Sequence, residues 1–149
     1  MTGSTPRWNA STGAGCPAAL RRAVRLGDGF FGAGSTPTAA FADQVRIVRD
    51  ALAAAGRPAE DFSIAKRVYI AVDADAGRAR DRINAALERL YGRRVPSIEA
   101  AAVAGTPADC VAAVREVAAA GAELILFTPM FSQAEHAEVL AAEIIPQIG

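Results

Sequence analysis

From Gly15 to Pro37 the chain reads as turn, helix, strand and turn. Gly15-Cys-Pro opens a helix that Gly27 stops, Asp28-Gly-Phe-Phe-Gly is a short apolar strand, and Ala33-Gly-Ser-Thr-Pro is a second turn. Proline suits the first helical position and glycine the place just past the last one. In this helix Ala19, Leu20, Ala23, Val24 and Leu26 are expected toward a core, with Arg21, Arg22 and Arg25 in solvent. A single helix–strand unit cannot bury its apolar side alone, so the unit constrains the fold by demanding others like it.

The rest of the chain supplies them. Thr36 and Pro37 are expected to start a helix that runs to Ala55 and stops at Gly56, with Phe41, Val45, Ile47, Val48 and Leu52 as its apolar stripe. Phe62 to Val72 then alternates as a strand does. Phe62, Ile64, Val68, Ile70 and Val72 fall on one face, and Ser63, Ala65, Arg67, Tyr69 and Ala71 on the other, with Lys66 the misfit on the apolar face. The face carrying Arg67 and Tyr69 is expected to look into a polar cleft rather than against a helix.

Asp73 and Asp75 precede a helix over 76–91 with Ile83, Leu87 and Leu90 inward, and an alanine-rich segment follows to Ala104. Thr106 and Asp109 have the spacing of a capping box for a helix to Ala120, and Ser132 with Glu135 repeats it for the last helix, which ends near Pro146. Between them Ala122 to Thr128 reads as an apolar strand. Strands that alternate with helices in this way imply a parallel sheet with crossover helices, either an α/β barrel or an open doubly wound sheet.

Composition bounds the functional classes. At 149 residues with 52% hydrophobic content, the chain can bury one core. Sixteen basic and sixteen acidic residues balance, and the arginines are dispersed, so a nucleic-acid partner is not expected. Cys16 and Cys110 lie far apart without a Cys/His cluster, which points to free thiols, a reducing cytoplasm and no metal site. The start lacks the apolar core of a signal peptide, and no apolar run approaches the length of a membrane span. Residues 1–14, rich in Ser, Thr, Gly and Ala, are expected to be poorly ordered or to hold a weak strand at Arg7 to Ala10, leaving 15–149 as the folded domain.

Chemistry is less explicit. Glycine turns and helix N-termini expose backbone N–H groups, so the turns around Gly15 and Gly34 can hold a phosphate between them; turn geometry alone is the competing explanation of these glycines. His136, the one histidine, is expected to be an exposed helix residue. Neither Ser132 nor Cys110 has a base near it in sequence, and no paired carboxylates end a strand, so no catalytic residue is assigned.

Several separate motifs carry a resemblance. Pro17-Ala-Ala-Leu-Arg-Arg-Ala, Arg25-Leu-Gly-Asp-Gly-Phe, Gly105-Thr-Pro, Ala120-Gly-Ala-Glu-Leu-Ile-Leu and Ile144-Ile-Pro together resemble the C-terminal half of the luciferase-like monooxygenase family. The resemblance implies a partial TIM (β/α)8 barrel with about four parallel strands, against eight strands and about 250 residues in a whole barrel. It further implies an oxidoreductase using FMN or coenzyme F420 on a small organic substrate, or the cofactor-phosphate half of one. The cofactor phosphate would lie against Gly15 and Cys16 and against Ala33, Gly34, Ser35 and Thr36, with Arg67 facing the same cleft. A non-catalytic half-barrel acting as an interaction module is the alternative. An incomplete barrel also implies assembly, either as a homo-oligomer or with a separately encoded N-terminal half.

Overall fold

The structure, a computed structural model, describes the backbone of residues 8–10 and all of residues 16–148. Most of the segment expected to be poorly ordered, and Gly15 of the first turn, lie outside the described residues. Among the described residues five strands form one parallel sheet: β1 (Trp8–Ala10), β2 (Gly29–Gly32), β3 (Ser63–Val72), β4 (Val103–Gly105) and β5 (Leu124–Pro129). The helices are α1 (Pro17–Leu26), α2 (Thr38–Ala54), α3 (Ala76–Tyr91), α4 (Pro96–Ala101), α5 (Pro107–Ala119), α6 (Gln133–Val139) and α7 (Ile145–Ile148). A π-helical turn, Leu140–Ile144, joins the last two.

β3 is the centre of the sheet. Ala65 pairs with Phe31 of β2 on one edge and Leu124 of β5 on the other. Farther along, Ile70 pairs with both Pro129 of β5 and Val103 of β4. A strand residue has one neighbour per edge, so β4 continues the β2 edge beyond the end of β2. The alanine-rich stretch before Gly105 therefore ends in a strand of its own, which its composition did not suggest.

Parallel register puts paired side chains on one face. Phe30 and Ile64 share the helix-facing side with Leu20, Val24, Phe41, Val45, Val48 and Leu52 of α1 and α2. Val68, Ile70, Ile125 and Phe127 share it with α5 and the π-helical turn, around Cys110, Val114, Val117 and Ile144. The opposite face carries Phe31, Ala65, Arg67, Tyr69, Leu124, Leu126 and Thr128. α3 crosses only the C-terminal end of that face, where Ala79, Ile83 and Leu87 pack on Tyr69 and Ala71. No other described helix covers that face at the level of β5, where Leu124 and Leu126 are 55% and 45% exposed.

Local details depart from expectation where a distant partner decides them. α2 begins at Thr38 with Pro37 as the residue before it, so Thr36 is not its cap. Ser132 adopts φ 44 and makes no side-chain cap; its hydroxyl instead accepts from Arg82 Nη2 at 3.4 Å, and its carbonyl accepts the His136 amide and faces the imidazole. Leu26 and Leu90, expected inward, face solvent instead: α1 buries Leu20, Ala23 and Val24, and α3 buries Ala79, Ile83 and Leu87. His136 is buried rather than exposed: Nδ1 meets the Ser132 carbonyl at 3.1 Å and Nε2 accepts the Val72 amide proton at 3.2 Å. The capping box of Thr106 and Asp109 and the Asp75 cap of α3 are both formed. Among the described residues no helix is long and apolar enough to cross a membrane.

Candidate functional site

In a parallel α/β sheet the loops at the C-terminal strand ends converge, and helix N-termini point their free amides there. The turn after β2, Ala33–Thr36, is at this mouth and is closed by the Thr36 amide donating to the Ala33 carbonyl at 3.1 Å. It leads into the first turn of α2, whose N-terminal amides and dipole favour an anion.

Two glycines make room for what packs beneath the turn. A Cβ on Gly32 would lie 2.7 Å from the Phe41 ring and 2.9 Å from Lys66 Cδ. A Cβ on Gly34 would lie 2.8 Å from the Tyr69 ring and 3.2 Å from Arg67 Cδ. Turn geometry alone does not require the second: the Tyr69 ring occupies the space that a side chain at 34 would need.

Arg67 and Tyr69 thus meet the turn from the open face of the sheet, as the alternation of β3 predicts. The Arg67 guanidinium lies 5.7 Å from the centroid of Phe31, and its Nε is buried without a partner among the described residues. The Tyr69 hydroxyl is 3.0 Å from that of Tyr91 at the end of α3. Burial, and then the Tyr69 hydroxyl, push the Tyr91 phenol up to about 12, so it stays neutral and able to donate. Thr36 Oγ1 is likewise buried without a partner among the described residues. Ser35, Thr36 and buried Gln44 line a cavity of about 370 Å³ beside α2, with Ser97 of α4.

Of the residues expected at a site, the structure brings Ala33, Gly34, Ser35, Thr36 and Arg67 into one cluster. Cys16 is exposed at the N-terminus of α1, a separate helix; the amides of Ala19 and then Ala18 hold its thiol below the ordinary range. Cys110 is instead buried, and desolvation pushes its thiol up to about 11.

Sequence reasoning missed two members of the cluster. Tyr91 gives no local signal, being the last residue of a helix far along the chain. Lys66 gave one, a charge on an apolar face. Its Nζ is buried on the helix side of β3, 2.6 Å from the Ala33 carbonyl and 2.8 Å from that of Arg67, and 5.8 Å from the Phe41 centroid.

The profile of the luciferase-like monooxygenase family matches residues 3–124. No curated protein sequence matches the chain. Among solved structures, a coenzyme F420-dependent tetrahydromethanopterin reductase from Methanopyrus kandleri superposes with a TM-score of 0.75 at 20% identity, over 97% of this chain and 51% of its own. The monooxygenase RslO1 of Streptomyces bottropensis gives 0.72 at 23% identity, over 95% and 48%. An F420-dependent secondary alcohol dehydrogenase gives 0.73 at 12% identity, over 95% and 48%. The chain therefore spans about half the length of these structures, and the likeness to them is one of fold. With the family profile covering most of its length and a parallel sheet of the same architecture, the chain belongs to the luciferase-like monooxygenase family.

Proposed function

We propose that this chain is the cofactor-phosphate half of a luciferase-like barrel, serving FMN- or F420-dependent oxidoreduction of a small organic substrate. The observation that carries the reading is the cluster at the mouth of the sheet. Gly34 is packed too closely on Tyr69 for any side chain, while Arg67 Nε and Thr36 Oγ1 are buried polar atoms without partners among the described residues. A phosphate supplies acceptors for both and faces the N-terminal amides of α2. Ala33, Gly34, Ser35, Thr36 and Arg67 would hold it, with Cys16 contributing from the N-terminus of α1 and Gly15 as the residue that precedes it in sequence. The bound flavin or deazaflavin supplies the redox chemistry; the chain's part is to bind and orient it.

The open face argues that the cradle works within a closed barrel. Leu124 and Leu126 stand where further strands would cover them, each at a cost of about 1.5–3 kcal/mol while uncovered. Strands of the same fold, in this chain or another, would close the cleft over Arg67 and Tyr69. This exposure favours the half-barrel over a free-standing interaction module.

Calorimetric titration with FMN, F420 and riboflavin tests the reading. FMN and F420 are expected to bind about tenfold or more tightly than riboflavin, the increment of a charge-assisted phosphate contact. Equal affinity for FMN and riboflavin would overturn it.

A further inference from the structure

The apolar packing around Lys66 does not call for a charged side chain. Its neighbours on the helix-facing side of β3, Ile64 and Val68, fill the same layer with apolar side chains. The Ala33 carbonyl already accepts the Thr36 amide, so it would not be orphaned without the ammonium. Two carbonyls take two of the three ammonium donors, and among the described residues no carboxylate pairs with Lys66 or with Arg67 beside it. Two adjacent cations on opposite faces of one strand, both reaching the same turn and neither neutralised, leave an excess of positive charge there. Desolvating an ammonium without an ion partner is costly, and a bound dianion would offset that cost.

We propose that Lys66 is the positioning residue of the Ala33–Thr36 turn, fixing its orientation through the Ala33 carbonyl and supplying, from beneath, a positive charge for the phosphate that Arg67 approaches from above. This rests on the reading of that turn as a phosphate cradle. Lys66 need not touch the ligand. It holds the carbonyl that closes the turn, so the amide side of the turn is presented to the mouth, and its field acts over a few ångströms through a medium drier than water.

The role has a pH signature. Burial, and then the charge of Arg67, pull the ammonium down to about 8. Of the elements packed against it, α2 presents the Phe41 ring and the turn presents a carbonyl; Arg67 on its own strand is the charged neighbour. Lys66 therefore loses its proton between pH 7 and 9, above the second ionisation of a phosphate monoester at about 6, while the ligand's charge is constant. Cys16, whose thiol is also held low, belongs to the proposed binding set, so a Cys16→Ser chain is measured beside the wild type to separate its contribution from that of Lys66.

Affinities for FMN and riboflavin are measured by titration at pH 7 and pH 9 in wild-type, Cys16→Ser and Lys66→Met chains. At pH 7 Lys66→Met is expected to weaken FMN binding about tenfold and to leave riboflavin unchanged. The wild type and Cys16→Ser are expected to lose a similar factor for FMN from pH 7 to 9, whereas Lys66→Met is flat. Preference for FMN that survives both the substitution and the pH change would overturn the role of Lys66 while leaving the phosphate cradle intact. A wild type that binds FMN no better than riboflavin, or binds neither, would overturn the cradle and with it this role. Should Lys66→Met fail to fold, the wild-type pH profile decides alone.

Discussion

His136 Nε2 accepts the amide proton of Val72, the last residue of the central strand, at 3.2 Å from a position 64 residues later in the chain. Its Nδ1 faces the Ser132 carbonyl and so carries the proton, and the ring stands edge-on to Phe131 at 5.1 Å. The histidine thus ties the start of α6 to the end of β3. His136→Phe keeps the volume and leaves a buried amide unpaired, at a cost of about 1–3 kcal/mol. His136→Gln, which can still accept that proton, should recover part of it. Denaturant unfolding measures the loss, and faster hydrogen exchange at Val72 locates it.

Gly34→Ala should damage the site more than the fold. The new methyl meets the Tyr69 ring at 2.8 Å, and relieving the contact costs about 1–3 kcal/mol by displacing either the turn or the ring. Since Arg67 Cδ is next in line at 3.2 Å, the shift reaches the cradle. Discrimination between FMN and riboflavin should disappear while circular dichroism keeps its native form.

Arg57 caps α1 from outside it. Its Nη1 donates to the carbonyls of Val24 and Gly27 at 2.8 and 2.6 Å, its Nη2 reaches Asp28, and its guanidinium lies 5.1 Å from the Phe62 centroid. Arg57→Ala removes these donors from the helix end, and a loss of about 1–3 kcal/mol is expected. In a chain of this size that lowers the melting temperature by roughly 2–4 °C per kcal/mol. Lys in its place should rescue little, because one ammonium cannot span these partners and lie flat on the ring.

Acid stability should depend on Asp73. Hydrogen bonds from the Arg78 side chain and then from the Asp75 amide hold its carboxyl down to about 2, against 3.8 ordinarily. A carboxyl lowered in the folded state contributes stability that is fully present above the unfolded value and is lost as pH falls from about 4 through 2. Asp73→Asn should therefore flatten the stability profile in that window and lower stability at neutral pH. Denaturant melts at pH 2.5, 4 and 7 would show it, and an unchanged slope would count against the Asp73–Arg78 contact.

The open face predicts association. Leu124 and Leu126 are paired in register with Ala65 and Arg67, on the side that no described helix covers at that level. Light scattering on the isolated chain should show concentration-dependent self-association, and Leu124→Ser with Leu126→Ser should reduce it. A clean monomer that melts sharply and independently of concentration would show that the chain closes its own core.

What the sequence determined by itself was whatever depends on near neighbours. The alternation of β3 sorted Ile64, Val68 and Ile70 from Arg67 and Tyr69 because side-chain direction in a strand has a period of two residues. The box of Thr106 and Asp109 was legible because its donors and acceptors lie three residues apart, and the order of strands and helices was enough for a parallel sheet. Tertiary structure decided what depends on residues far along the chain. Ser132 opens the same four-residue pattern as Thr106, yet it makes no side-chain cap, and its hydroxyl meets Arg82, 50 residues earlier, at 3.4 Å. Lys66 looked like a misfit until β2 brought the Ala33 carbonyl over it, and Tyr91 joined the site only because α3 crosses the end of β3. A hydrogen bond or a burial needs its second partner in place, and only the folded chain puts residues dozens of positions apart within 3 Å of one another.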